Sequence, residues 1–190
     1  ANLPSGGVRT EDLYFTAETT GNSITFRAPA GNGAYLEQRY EVAPETYEIK
    51  YDLRFVGLNN LLAADAENIQ LNWLDFPDKI EINTRYERTY STIHYKQLDQ
   101  SPSYLSFTSE DDETIAPLRW VSYSNQFFNT SLIADDRFES SLIQAKTLEE
   151  EESDLKRYYS EIAVPFRRGA DETFGMKLYI GPNEFKRLRE

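Results

Sequence analysis

From Tyr47 to Phe55 the chain alternates without a break: Tyr47, Ile49, Tyr51, Leu53 and Phe55, with Glu48, Lys50, Asp52 and Arg54 between them. Successive side chains of a strand point to opposite faces, so this segment reads as a strand with one buried and one wet face, typical of antiparallel sheet. Ile69, Leu71 and Trp73 repeat the pattern, with Asp75 next in line. Upstream, residues 13–17, 23–28 (Ile24, Phe26 and Ala28 on one face) and 35–42 read as strands, punctuated by Thr20-Gly21-Asn22 and by the Gly- and Asn-rich stretch 29–33. Units at this spacing predict an all-β, mainly antiparallel sandwich rather than a strand–helix alternation.

The second half is read the same way. Residues 78–88 are expected to be a helix, although their apolar spacing fits neither template well. Residues 91–96 and 103–107 form a hairpin around Asp99-Gln100-Ser101-Pro102, and the acidic run Glu110-Asp111-Asp112-Glu113 is expected to be a loop. Residues 120–134, the most apolar stretch, read as a central strand or a strand pair with a sharp bend. Residues 146–156, with Glu149-Glu150-Glu151-Glu152, read as a charged tip before strands at 158–166 and 173–180. Gly181-Pro182-Asn183 is expected to start a short C-terminal helix over 182–190, with Phe185 and Leu188 packing it onto a sandwich spanning 1–181.

Composition narrows the function classes. Thirteen Tyr and eleven Phe favour half-buried strands. A net charge of −12 repels polyanions and anionic headgroups, arguing against nucleic-acid binding and peripheral attachment to anionic lipid. The chain has no cysteine, so it carries neither disulfide nor thiolate metal site. No run is long enough for a membrane-spanning helix, and the chain opens and closes as a fragment would.

Candidate chemistry is sparse. His94 is the only histidine and falls in a Tyr-rich hairpin, where it reads as structural. Trp73 and Trp120 read as core packing, with a sugar-stacking cleft as the alternative. Asp135-Asp136 and Glu110–Glu113 lack the alternating offsets and glycine of a calcium loop. Asn129-Thr130-Ser131 matches a glycosylation pattern but sits in an apolar strand, and Lys186, Arg187 and Arg189 suit either a helix C-terminus or lipid headgroups. No cofactor, metal site or catalytic group is expected.

Two segments resemble a known family. Trp120, followed by Gln126-Phe127-Phe128 and small and apolar residues to Ile133, resembles the signature strand of YidC periplasmic domains. Leu178-Tyr179-Ile180-Gly181-Pro182 resembles the end of the same domain, where Gly-Pro hands the last strand to a helix. The acidic, Tyr-rich character and residues 129–136 look like a version from the Bacteroides–Porphyromonas side of the Gram-negatives. The resemblance implies a large twisted β-sandwich of the galactose mutarotase-like supersandwich type, on the periplasmic face of the inner membrane between a first transmembrane helix and a membrane core. It further implies a non-catalytic part in a membrane protein insertase and chaperone, with Sec translocon accessory subunits and nascent membrane proteins as partners of the full-length protein and membrane contact only through absent segments. Family domains begin with further strands upstream of 9–15, so one or two strands are expected to be missing here, which would leave an unpaired edge. A secreted carbohydrate-binding module is the alternative, and a mutarotase-like enzyme using His94 a weaker one.

Overall fold

The computed structural model describes residues 7–183 and folds them into two antiparallel sheets packed face to face. The larger sheet runs, in spatial order, β1 (Thr16–Thr20), β2 (Ser23–Gly31), β3 (Ala34–Val42), β4 (Glu48–Val56), β13 (Asp171–Pro182), β10 (Phe128–Phe138), β9 (Leu118–Ser124), β6 (Thr92–Gln97) and β7 (Ser103–Tyr104). The smaller runs β5 (Asn68–Asp75), β12 (Lys156–Pro165), β11 (Ser140–Thr147) and β8 (Asp111–Ile115). The expected sandwich is therefore present.

The alternation in β4 sets its register. Tyr51, Leu53 and Phe55 are buried, and Tyr51 and Leu53 pair with Met176 and Phe174 of β13. On the outer face Glu48 and Arg54 pair across strands with Lys177 and Asp171, Lys50 and Asp52 pair along β4, and Arg27 of β2 pairs with Glu37 of β3. Between the sheets lies a dry core of Ile93, Val121, Leu132 and Met176 from the large sheet and Ile143, Tyr158, Ile162 and Val164 from the small one. The β2–β3 hairpin closes through Gly31, Asn32 and Gly33, all at positive φ, where glycine costs no steric strain.

Several expectations need correction. The first strand begins at Thr16 rather than Leu13 and is exposed along its whole length at the sheet edge. Helix forms only over Thr84–Thr89 (α1), capped by Asn83, whose side chain accepts the Tyr86 amide at 3.0 Å. Residues 78–83 stay irregular because the carboxylate of Glu87, itself buried, accepts the amides of Ile80 and Glu81, each at 3.3 Å. Acidic residues 111–113 lie in strand β8, an edge strand, where charge faces water and discourages further pairing. Lys156 is not on a charged tip but buried at the start of β12. Gly181 and Pro182 belong to β13, opposite Asn129 and Phe128, because β10 supplies a paired edge for them; residues 184–190 of the expected helix lie outside the described residues. Phe185 and Leu188 lie outside the described residues.

The order of the strands gives the sandwich two unlike ends. At one, β13 finishes and the described chain ends; the β9–β10 turn, residues 76–91 and the 148–155 loop gather there. Residues 57–67, 98–102 and 166–170 form the opposite end.

Candidate functional site

The signature segment forms the β9–β10 hairpin. Asn125 makes the bend: its Oδ1 accepts the amides of Phe127 (2.9 Å) and Phe128 (2.8 Å), an Asx turn that reverses the chain within three residues. Phe127 and Phe128 then project outward, roughly half exposed, while the Gln126 side chain tucks its Oε1 into a buried position.

Alternation along β9 places Val121 and Tyr123 toward the small sheet, so Trp120 and Ser122 lie on the outer face of the large one. Trp120 sits opposite Ile133 and Lys96, partly buried and apart from the core. Trp73 behaves differently. Its ring stacks on Tyr123 at 4.0 Å between the sheets, and the Tyr123 hydroxyl lies within hydrogen-bond distance of Ser160 Oγ (2.8 Å) and the Trp73 carbonyl (3.0 Å). Core packing is thus the role of Trp73 alone, and the two tryptophans, on opposite sides of one sheet, line no common cleft.

A buried polar seam runs along the outer face of β9 and β10. Ser131 Oγ lies 2.7 Å from Ser122 Oγ and 2.8 Å from Asn129 Oδ1. Asn129 donates to Asn183 Oδ1 at 2.8 Å, and Asn183 donates to the carbonyls of Asn125 (2.9 Å, from its side chain) and Phe127 (2.7 Å, from its amide). This chain of bonds ties the exit of β13 to the signature turn. It also buries Asn129 and commits its amide, which leaves the glycosylation pattern without an accessible acceptor. Sequence alone gave one signal for the seam, an unusual density of Ser and Asn within an apolar stretch.

Gly181 follows directly on the outer face. A Cβ there would stand 2.7 Å from Tyr47 Cγ and 2.9 Å from Tyr179 Oη. A Cβ on Gly175, by contrast, would meet the far end of the Asp135 side chain, which can swing into solvent. Gly181→Ala is therefore expected to lower unfolding stability by at least about 1 kcal/mol more than Gly175→Ala, as overpacking against rings costs more than displacing a flexible carboxylate. Equal denaturation midpoints for the two variants would refute this reading.

His94, on the outer face of β6, contacts the rings of Tyr104 and Phe107 at 5.8 and 6.0 Å between centroids. Burial lowers its pKa, so it stays neutral near pH 7. Asp135 and Asp136 are exposed, Asp136 facing Arg167 at 3.7 Å, and Tyr95 donates to Glu113. Among the described residues no group of three or more His, Cys, Asp or Glu is placed to hold a metal, and no helix is long and apolar enough to cross a membrane. At the exit end a cavity of about 180 Å³ opens between the sheets, lined among others by Asp75, Asp78, Ile80, Tyr123, Phe128 and Tyr158. Burial raises the pKa of the Asp75 carboxyl and keeps Tyr123 and Tyr158 neutral across the physiological range.

Comparison with known proteins adds to this geometry. The family model described as the YidC periplasmic domain matches residues 5–190. Membrane protein insertase YidC of Phocaeicola vulgatus is 29% identical over 183 residues, covering 95% of this chain and 30% of that protein. YidC of Parabacteroides distasonis is 31% identical over 185 residues, covering 96% of this chain and 29% of that protein. Both relatives come from Bacteroidetes, the group that the acidic, Tyr-rich sequence resembles. The chain thus spans about three-tenths of the length of the curated relatives it matches. Among solved structures, a mutant of heparan sulfate lyase HepC from Pedobacter heparinus superposes with a TM-score of 0.50 at 12% identity, covering 90% of this chain and 22% of that one. At that identity the likeness concerns the fold alone.

Proposed function

We propose that this chain, which belongs to the YidC periplasmic domain family, is the non-catalytic extracytoplasmic part of a bacterial inner-membrane protein insertase. The observation that carries the reading is the family match over nearly the whole length, with relatives whose remaining seven-tenths lie outside it. In this reading the sandwich braces the segment entering the membrane core, the chain crossing from one to the other after Asn183. The full-length protein acts on nascent membrane proteins, alone or beside the Sec translocon, and also as a chaperone.

The outer face supports a scaffolding role. On it Arg27, Lys177 and Arg54 form cross-strand ion pairs, His94 sits among rings, and buried hydroxyls bond to one another. A carbohydrate-binding reading had rested on a cleft lined by both tryptophans, and they lie on opposite sides of the sheet.

Sequencing the gene on either side of the fragment tests the proposal. One apolar span is expected upstream and several downstream of Glu190. A stop codon just past Glu190, behind a cleavable signal, would overturn it and direct attention to saturable sugar binding read by Trp fluorescence.

A further inference from the structure

Exposed large apolar side chains are distributed unevenly over this sandwich. The loops of the far end (57–67, 98–102 and 166–170) carry no exposed one: Leu58 and Phe166 are buried, Leu98 is partly buried, and Leu61 and Leu62 lean on the core. The exit end carries many. Phe76, Ile80, Ile82 and Tyr86 stand out from the 76–91 segment, and Phe127 and Phe128 from the signature turn. Ile82 is fully exposed.

These side chains are neighbours rather than scattered singles. Ile80 and Phe128 line the same cavity, and Asn183, the last described residue of the exiting chain, donates its amide to the Phe127 carbonyl. Val8 and Tyr14 ahead of β1 and Tyr104 of β7 are exposed elsewhere, but six such side chains gathered at one pole of a protein with net charge −12 mark a surface that is covered in use. The described chain ends at that patch, and about seven-tenths of the length of its relatives lies outside the matched region.

Resting on the insertase reading, we propose that this end is a membrane-apposed face whose six side chains sit in the headgroup and upper acyl region of the lipid bilayer. Apolar side chains clustered on the loops of one end suit such shallow insertion of about 5–10 Å, whereas a protein groove would be met by a continuous concave surface. The acidic run Glu149–Glu152 on the 148–155 loop at the same end turns the face from anionic headgroups, so the lipid it accepts is zwitterionic. The twelve residues of β13 set the far end roughly 40 Å away, well clear of the lipid.

The absence of cysteine makes the test direct. Single substitutions Ile82→Cys, Phe127→Cys, Asn60→Cys and Ser101→Cys are labelled with an environment-sensitive fluorophore in the full-length protein, in a background free of other cysteines. The protein is reconstituted into phosphatidylethanolamine–phosphatidylcholine vesicles with spin-labelled lipid. The expected result is blue-shifted emission at 82 and 127, quenched severalfold more strongly by the lipid than at 60 and 101, with iodide quenching reversed. Strong iodide quenching at all four positions would overturn the proposal. So would labels at 82 and 127 shielded from both quenchers, since protein would then cover the face. A full-length protein that does not enter vesicles at all would instead refute the insertase reading on which the proposal rests.

Discussion

Phe138→Ala is expected to lower unfolding stability by about 3–5 kcal/mol, the range for deleting a ring from a dry core. Phe138 ends β10, is fully buried, and lies with its ring centroid 5.5 Å from that of Phe174. One residue later β11 begins in the other sheet, and the intervening Glu139 donates its amide to Ala163 of β12. The ring therefore fills the corner at which the chain passes directly from one sheet to the other. Pairing of Phe138 with Leu118 of β9 and of Ser140 with Ala163 of β12 limits how far either sheet can slide to close the void. Denaturant unfolding should show a lower midpoint with an unchanged slope, since the surface exposed on unfolding stays the same. A loss below about 1 kcal/mol would mean that the corner collapses around the missing ring, and that the sheets are less rigidly joined than their hydrogen bonds indicate.

That corner was only partly legible in the sequence. The period of two from Tyr47 to Phe55 gave β4, and Ile69-Leu71-Trp73 gave β5, because one face of each meets the core and the other meets water. The bend inside the 120–134 segment was also readable, with Asn125 between two apolar runs. Which sheet each strand joins was not, since alternation records burial but not the partner that provides it. Charge misled in a consistent way. Residues 111–113 read as a loop and form an edge strand; Lys156 reads as part of a charged tip and is buried, and Glu87, which no pattern singles out, is buried as well. In each case backbone groups brought from distant positions decide the outcome: amides 80 and 81 for Glu87, carbonyls 91 and 107 for Lys156. The signature residues were located by resemblance alone, and periodicity gave no reason to expect Trp120 outside the core. Its neighbours on the outer face are chosen by register with Ile133 and Lys96, which no local pattern encodes.

Lys156 gives the fold an unusual pH response. Its ammonium donates to the carbonyls of Ser91 (2.5 Å) and Phe107 (2.8 Å). Nearby Arg88 donates to the carbonyls of Leu148 and Glu149. Burial first, and the Arg88 charge second, pull the Lys156 pKa down to about 8 from its ordinary 10.5. Between those two values the unfolded chain still holds a proton that the folded chain has released, so stability rises with pH across the window. The buried tyrosines act in the opposite sense. Burial pushes Tyr51, Tyr123 and Tyr158 upward, so the unfolded chain ionises first, above about pH 10, and stability falls there. Unfolding free energy is therefore expected to climb by about 2 kcal/mol from about pH 7 to about pH 9.5 and then to turn over. Guanidinium titrations followed by Trp fluorescence at several pH values measure the climb. Lys156→Met should flatten it while leaving the decline above pH 10 in place, because the thioether fills the same stem volume without a proton to lose. A climb that persists in Lys156→Met would assign the window to another group. A wild-type profile flat through about pH 9.5 would mean that the two carbonyls hold the ammonium charged, outweighing its desolvation.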